Sequence, residues 1–301
     1  MTDKMRWLLR RVCEGDLIKA QQEARTLLTY NKIKKDEAFC QSMLHTLDKN
    51  QTKLIELPPN LQGLLVAEDT SSFPFSRFIS RPDEERIVMQ MVSTTKASGK
   101  LAELGISCNP TLMLHGISGG GKTMLARYIA HKLEKPFVYV RFSNVVSSHL
   151  GSTQSNIARI FDFIRKSSCV LCFDEIDVVG MARGQRNDVG EMNRIVITLM
   201  QEMDNLQNDT VIIGTTNRHD HLDDALLRRF RLQHEVMPLN DIEALELSSK
   251  FFASAGYEAE SWVKEWGCDS FGDVATTPAE VVRKCTDKII ANYLIEEENV
   301  K

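Results

Sequence analysis

The chain has 301 residues, of which 43% are hydrophobic and 26% are charged, and its formal net charge is −4. This balance is ordinary for a globular protein of one large or two smaller domains, and it excludes the strongly basic composition of a typical nucleic-acid binder. No apolar run approaches the ~18 residues that cross a bilayer, so we expect neither a membrane span nor a secretory signal. With seven scattered cysteines, we expect a cytoplasmic protein with reduced thiols.

The first part of the chain changes character twice. Apolar residues recur at three- and four-residue steps within residues 1–55, which predicts a small N-terminal helical domain. Prolines and small polar residues mark residues 56–80, which predicts a linker. The run Arg81-Pro82-Asp83-Glu84-Glu85 then begins a predicted helix that extends to about Ser98.

From residue 111 onward, apolar runs alternate with helical patterns. The runs lie at 111–115, 137–142, 169–173 and 210–214, with a weaker one at 234–239. Because these runs are apolar throughout rather than alternating, they favour parallel strands that are covered on both faces. The pattern predicts an α/β fold, and residues after 239 return to a helical pattern.

The first apolar run leads directly into Gly116-x4-Gly121-Lys122-Thr123, and a helical pattern follows. Strand, glycine loop and helix are the context of a P-loop. Glycines let backbone N–H groups turn toward phosphate oxygens, Lys122 is expected to reach the β- and γ-phosphates, and Thr123 is expected to bind Mg²⁺. The alternative is a glycine-rich turn that binds nothing. The predicted nucleotide-binding residues are Gly116, Ser118, Gly119, Gly120, Gly121, Lys122, Thr123 and Met124.

Two carboxylates follow the third apolar run. Asp174 and Glu175 come directly after Cys169–Phe173, and the carboxyl ends of parallel strands are where ligands bind in open α/β sheets. We expect Asp174 to hold Mg²⁺ and Glu175 to polarise the water that attacks the γ-phosphate. An acidic loop without catalytic function is the alternative, and the P-loop upstream disfavours it.

Three further residues follow the fourth run. Asn217 comes three residues after that run and is predicted to hydrogen-bond the attacking water or the γ-phosphate, or else to be a simple turn residue. Arg228 and Arg229 lie at a predicted helix end. Their spacing alone leaves two possibilities open, because paired arginines can cap helix carbonyls or reach the nucleotide of a neighbouring subunit.

The order of the four runs GISGGGKT, VLCFDEID, GTTN and LDDALLRRF resembles the AAA+ ATPases, and within them the AAA clade of katanin, spastin and Vps-type remodellers. The similarity covers roughly residues 82–300. It implies a five-stranded parallel αβα subdomain over 81–239, a helical lid over 240–301, and a hexameric homo-oligomer that hydrolyses ATP with Mg²⁺. It also implies that Asn217 is the sensor 1 residue and that Arg228 and Arg229 are trans-acting arginine fingers.

Two positions bear on how such a protein would act on its substrate. His149 and Leu150 occupy the place of the family's pore loop, where an aromatic residue and an aliphatic residue grip a polypeptide, and histidine stands in the aromatic place. Glu280 stands where other AAA+ clades carry the sensor 2 arginine, and that arginine is absent from the AAA clade as well.

The N-terminal segments support a narrower resemblance. The helical start, the Leu57-Pro58-Pro59 connector, the run at Arg81 and the Gly190-Glu191 segment resemble bacterial stand-alone AAA ATPases that are paired with subtilisin-like serine peptidases, some of which are implicated in anti-phage defence. The leading hypothesis is an ATP-driven protein remodeller. The alternatives are an ATP-dependent assembly switch that does not thread its partner and, disfavoured by the acidic balance, a nucleic-acid motor.

Overall fold

A computed structural model describes residues 57–145, 152–177, 189–206, 210–257 and 276–299, together with the isolated positions 24 and 55. The chain divides into two compact units, Met1–Glu56 and Leu57–Lys301. Apart from the isolated positions, the predicted N-terminal helices lie outside the described residues, and so do the pore-loop residues His149 and Leu150.

The second unit is built on one six-stranded sheet with strand order β1-β3-β4-β5-β2-β6. The strands are β1 (Leu65–Glu68), β2 (Thr111–His115), β3 (Phe137–Val140), β4 (Val170–Phe173), β5 (Val211–Thr216) and β6 (Leu232–Glu235). Strands β2 to β6 pair in parallel, which confirms the predicted five-stranded parallel sheet. Strand β5 is buried at every position and β4 likewise, because helices cover both faces of the sheet centre.

Strand β1 lies within the range predicted as a linker, residues 56–80, and the structure differs from that prediction. It pairs antiparallel with β3 at the sheet edge, with Leu65 opposite Val140. Leu61, Leu65 and Phe73 are buried, so this stretch is part of the packed unit. The strand has only four residues, too few for a periodic signal, and its pairing depends on a strand far along the chain.

The helices alternate with the strands. They are α1 (Pro82–Glu103), α2 (Lys122–Lys132), α3 (Phe142–Val145), α4 (Ser152–Ile164), α5 (Val189–Asp204), α6 (Asp224–Leu227), α7 (Asp241–Ser254) and α8 (Pro278–Asn299), with 3₁₀ turns at Phe75–Arg77 and His219–His221. Helix α1 begins at a proline, which suits the first helical position because its missing N–H would have no partner there. Helix α7 begins with a capping box between Asn240 and Glu243.

Two hydrophobic cores position the site. The larger core packs α1 and α2 against the sheet, with Met91, Leu114 and Ile129 among its fully buried members. A smaller core joins α7 to α8, with Leu247, Phe252 and Val281 fully buried. No helix in the described part of the chain is both long and apolar enough to cross a membrane.

Candidate nucleotide-binding site

A cavity of about 480 Å³ opens at the carboxyl ends of β2, β4 and β5, which are neighbours in the sheet. Each of these strands is followed by one of the predicted motifs, so the parallel sheet brings three distant segments of the chain to one edge. The start of α8 and the turn at Phe75–Arg77 form the remaining wall. The lining residues are Arg77, Ser118, Gly119, Gly121, Lys122, Thr123, Met124, Asp174, Glu175, Thr215, Asn217, Pro278, Ala279 and Val282.

The glycine loop between β2 and α2 folds as a tight turn against the sheet edge. The Gly120 N–H donates to the Ile117 carbonyl at 3.2 Å. Gly116 has φ 136, and a side chain there would collide with the backbone carbonyl of Val236, so only glycine fits. Of the predicted loop residues, Gly116 and Gly120 support the turn without lining the cavity, whereas the others line it.

Lys122 is 7% exposed and its ammonium group is fully hydrogen-bonded within the protein. Its Nζ donates to the carbonyls of Gly116 at 3.0 Å and Ile117 at 2.8 Å, and to Asn217 Oδ1 at 2.6 Å. Burial lowers the pKa of Lys122, and nearby carboxylates, Asp174 foremost, act in the opposite direction. A buried ammonium held at the mouth of a glycine loop is suited to phosphate oxygens.

Asp174 is the centre of a hydrogen-bond network below the loop. Its Oδ1 accepts from Thr123 Oγ1 at 2.9 Å and from Thr215 Oγ1 at 2.6 Å. A hydroxyl group and a carboxylate side by side are hard oxygen donors of the kind that Mg²⁺ prefers. The predicted metal residues Thr123 and Asp174 are thus in direct contact, and the donor set fits Mg²⁺ bound through few protein ligands and water.

Glu175 has a strained backbone at the end of β4. Its φ is 54, in the left-handed region that non-glycine residues rarely adopt. Two hydrogen bonds hold it there: the Glu175 N–H donates to Thr215 Oγ1 at 3.1 Å, and the Ile176 N–H donates to the Thr215 carbonyl at 3.0 Å. The carboxylate is exposed and lines the cavity. Such strain is characteristic of functional positions, and here it places an exposed carboxylate at the cavity beside Asp174.

Thr215 was not singled out from the sequence, yet it contacts both carboxylate residues. The parallel register predicts this position, because Phe173 lies opposite Gly214 and the next residues, Asp174 and Thr215, follow on neighbouring strands. The wall formed by Arg77, Pro278, Ala279 and Val282 was also missed. No local motif marks that wall, since it joins segments about two hundred residues apart.

The two predicted finger arginines lie outside the cavity and differ from each other. Arg229 donates to both carboxylate oxygens of Asp204, at 3.2 and 3.0 Å, and to the Ala225 carbonyl at 3.0 Å. These bonds with Asp204 raise the pKa of Arg229. Arg228 is exposed and follows the last residue of α6. The chain alone therefore places neither guanidinium against its own nucleotide-binding loop.

Glu280 likewise lies outside the cavity. Its N–H donates to Thr277 Oγ1 at 3.2 Å in the first turn of α8, and its carboxylate pairs loosely with Arg283 at 3.7 Å. The neighbouring residues Pro278 and Ala279 line the cavity instead. At the start of α8 the cavity therefore has small apolar side chains rather than a cation.

Comparison with known proteins agrees with this geometry. The family model described as "ATPase family associated with various cellular activities (AAA)" matches residues 112–238. A proteasome-activating nucleotidase of Methanosphaerula palustris is 33% identical over 66% of this chain and 51% of its own length. The peroxisomal ATPase pex6 of Schizosaccharomyces pombe is 36% identical over 46% of this chain and 15% of its own. The ATP-dependent zinc metalloprotease FtsH 3 of Phytoplasma mali is 31% identical over 59% and 31%.

The chain spans about half the length of the first of these relatives and less than a third of the other two. The matched residues begin in β2 and end just after β6, so they contain the glycine loop, both carboxylates, Asn217 and the paired arginines. Residues 112–238 therefore match the AAA family of ATPases, a family whose cofactors are ATP and Mg²⁺.

Proposed function

We propose that this protein hydrolyses ATP with Mg²⁺ as a homo-oligomer and uses that cycle to act on a protein partner. The observation that supports the proposal most directly is the convergence of four catalytic side-chain types on one cavity. Lys122, Asp174, Glu175 and Asn217 come from three separate strand ends and line the same space. A lysine, a metal-binding carboxylate, a free carboxylate and a polar amide are the parts that ATP hydrolysis requires.

Each residue has a role that follows from its contacts. Lys122 leaves Asn217 and the loop carbonyls to bind the β- and γ-phosphates. Thr123 and Asp174 hold Mg²⁺, which neutralises phosphate charge when bound. Glu175, which takes no part in the Asp174 network through its own carboxylate, accepts a proton from the attacking water. When Lys122 binds phosphate instead of the Asn217 amide, the Asn217 side chain becomes free to orient that water.

The paired arginines are proposed to complete a neighbouring subunit's site. Arg228 is exposed, and no hydrogen bond or ion pair joins its side chain to the described residues. Arg229 is held by Asp204 in its own chain, and this exposed pair can exchange for phosphate at small cost. A hexamer, as the resemblance implies, would bring both arginines to an interface, where they would stabilise charge on the γ-phosphate.

The class of partner is proposed from the names of the relatives. These include a proteasome-activating nucleotidase, a peroxisomal ATPase and a zinc metalloprotease. The resemblance of the N-terminal segments carries the finer proposal of a subtilisin-like serine peptidase as partner in anti-phage defence. We also propose an N-terminal domain over residues 1–55, a nucleotide-binding subdomain over 81–239 onto which residues 57–80 pack, and a helical lid over 240–301, with His149 and Leu150 contacting the substrate.

The test of hydrolysis is Glu175→Gln, which keeps the size of the side chain and removes its charge. We expect ATP binding to persist and turnover to fall by roughly 10² or more. Hydrolysis at the wild-type rate would show that Glu175 is not the base, and Asp177→Asn would then be measured.

Glu175→Gln also provides a way to identify the partner. Purified from cells in the presence of ATP, this variant should accumulate as the ATP-bound oligomer. A protein partner, a peptidase included, should then co-purify with it and be identified by mass spectrometry.

The test of assembly combines two inactive variants. Lys122→Ala lacks the P-loop cation and the double variant Arg228→Ala, Arg229→Ala lacks the fingers. If the arginines act in trans, a co-assembled mixture contains interfaces with one intact loop and one intact pair, and partial ATPase activity returns. No recovery over a range of mixing ratios, in samples shown to co-assemble, would contradict a role in trans. The arginines would then cap helix carbonyls within their own chain.

A further inference from the structure

Arg81 precedes α1 and is 9% exposed, which is unusual for an arginine. Its guanidinium contacts three separate segments. Nη2 donates to the Met237 carbonyl at 2.7 Å, Nε lies 3.2 Å from Glu243 Oε1, and Nη1 lies 3.7 Å from Glu84 Oε1. Glu84 belongs to α1, Met237 follows β6, and Glu243 is in the first turn of α7.

The two glutamates have matching positions at the starts of their helices. Glu84 Oε2 accepts the Arg81 N–H at 3.1 Å, and Glu243 Oε2 accepts the Asn240 N–H at 2.9 Å. Each carboxylate thus uses one oxygen to cap a helix and turns the other toward the guanidinium. Burial raises the pKa of Glu84. Without Arg81, two carboxylates would share this space with no cation between them, which is unfavourable for both.

The contacts of Arg81 lie where the chain crosses from the sheet to α7. Two residues after Met237, the Leu239 N–H donates to the Thr276 carbonyl at 2.8 Å. Thr276 is two residues before Pro278, which begins α8 and lines the cavity. The Ala279 N–H then reaches the Gly119 carbonyl of the glycine loop at 3.4 Å. A short path therefore connects Arg81, through the crossing, to the α8 wall of the cavity.

We propose that Arg81 is a positioning residue for the nucleotide. It holds residues 237–239, where the chain crosses from the sheet to α7, together with the first turn of α7. The α8 wall, formed by Pro278, Ala279 and Val282, then closes over the nucleoside part of ATP. This inference rests on the proposed function and adds to it a residue outside the glycine loop and the strand ends. Arg81 acts through Met237 and Glu243, and it does not touch phosphate. Its contribution therefore falls on the nucleoside, while the phosphates are held by Lys122 and its loop.

The experiment measures equilibrium binding of a fluorescent ATP analogue with Mg²⁺, and its displacement by ATP or by inorganic tripolyphosphate. We expect Arg81→Ala to weaken ATP about tenfold and tripolyphosphate by less than about threefold, since tripolyphosphate lacks a nucleoside. Glu243→Gln keeps the helix cap and removes the charge, so it should weaken ATP in the same selective way. The double variant Arg81→Ala, Glu243→Gln should bind ATP no more weakly than Arg81→Ala alone, because both substitutions break the same contact.

Steady-state kinetics adds a second readout. The positioning role predicts a raised KM for ATP with kcat within about threefold of wild type. A merely structural role would reduce the fraction of active protein, and so lower kcat without changing KM. Arg81→Lys keeps the charge and loses the planar fork, so it should restore only part of the affinity.

The matched control is Lys250→Ala, on the exposed side of α7, the helix that contains Glu243. It breaks an ion pair in which Lys250 Nζ lies 2.7 Å from Glu246 Oε1. It should leave both affinities unchanged. Equal weakening of ATP and tripolyphosphate in Arg81→Ala, or no weakening of either in both Arg81→Ala and Glu243→Gln, would overturn the proposal. Failure of the wild type itself to bind ATP would instead refute the proposed function, and it is seen before any variant is made.

Discussion

The two ends of the cavity are built differently. At the phosphate end, side-chain hydrogen bonds of 2.6 to 2.9 Å link the ends of neighbouring strands. Lys122 donates to Asn217, and both Thr123 and Thr215 donate to Asp174. At the other end, the α8 wall of Pro278, Ala279 and Val282 is joined to the glycine loop by a long hydrogen bond of 3.4 Å, from the Ala279 N–H to the Gly119 carbonyl. The phosphate end is part of the sheet, whereas the α8 wall is placed by contacts from elsewhere.

This difference indicates which property each end controls. Groups fixed on a rigid sheet keep the geometry that chemistry requires. A wall that depends on few contacts can move at small free-energy change, so its position tunes how tightly nucleotide is held. We therefore expect changes at the phosphate end to abolish binding or turnover, and changes at the α8 wall to shift affinity by smaller factors.

The largest effect is expected for Lys122→Ala at the phosphate end. The substitution removes the loop's ammonium and leaves three acceptors without their donor, so ATP binding should fall below detection in calorimetric titration. Lys132→Ala, at the other end of the same helix, removes an exposed lysine and serves as the control. Affinity within about tenfold of wild type would contradict the assignment of the phosphate end.

Thr215→Val should have the next largest effect, on turnover rather than binding. Valine keeps the shape and removes the hydroxyl that donates to Asp174 and accepts the Glu175 N–H. Loss of both bonds misplaces two carboxylates, and we expect kcat to fall by about tenfold to a hundredfold. The control is Thr216→Val, because the Thr216 hydroxyl bonds only the Arg218 N–H in the described part of the chain. Equal losses in both variants would count against the Asp174 network.

Gly119→Ala sharpens the comparison, since Gly119 lies between the two ends. Its φ is 75, and an added Cβ would lie 3.2 Å from both Ala279 Cβ and Thr277 Oγ1. The substitution should push the α8 wall outward and weaken ATP binding by about threefold to tenfold. Gly99→Ala, where an added Cβ meets no atom within 4 Å, is the control. If Gly119→Ala weakens tripolyphosphate as strongly as ATP, the loop itself has changed and the separation of the two ends is wrong.

The smallest effect concerns pH and a histidine pair beside the loop. His115 ends β2, and its ring lies tilted against the ring of His219, with 4.3 Å between ring centres. Burial, and then the neighbouring His219, lowers the pKa of His115. At His115, the unfolded chain therefore binds a proton more readily than the folded chain does. The free energy of unfolding consequently decreases as pH falls below about 6.5. His115→Gln should reduce the slope of melting temperature between pH 5 and 7, and an unchanged slope would contradict this role.

The sequence predicts the two ends unequally as well. Lys122, Thr123 and Asp174 come from short motifs at strand ends, and the carboxyl ends of parallel strands meet at one edge of a sheet, so their meeting point could be inferred. The α8 wall and Arg81 could not, because their contacts join residues more than 150 positions apart without any local pattern. The ion pair between Arg229 and Asp204 could not be predicted either, because the spacing of residues along the chain does not show that an exposed carboxylate lies beside Arg229.

The three hydrogen bonds of the Lys122 ammonium also determine what its burial costs. Its partners, two loop carbonyls and Asn217, are supplied entirely by the protein. A buried ammonium without acceptors would be strongly unfavourable, and three oxygen acceptors compensate for its desolvation. The fold itself therefore offsets the free-energy cost of keeping a cation desolvated beside the glycine loop.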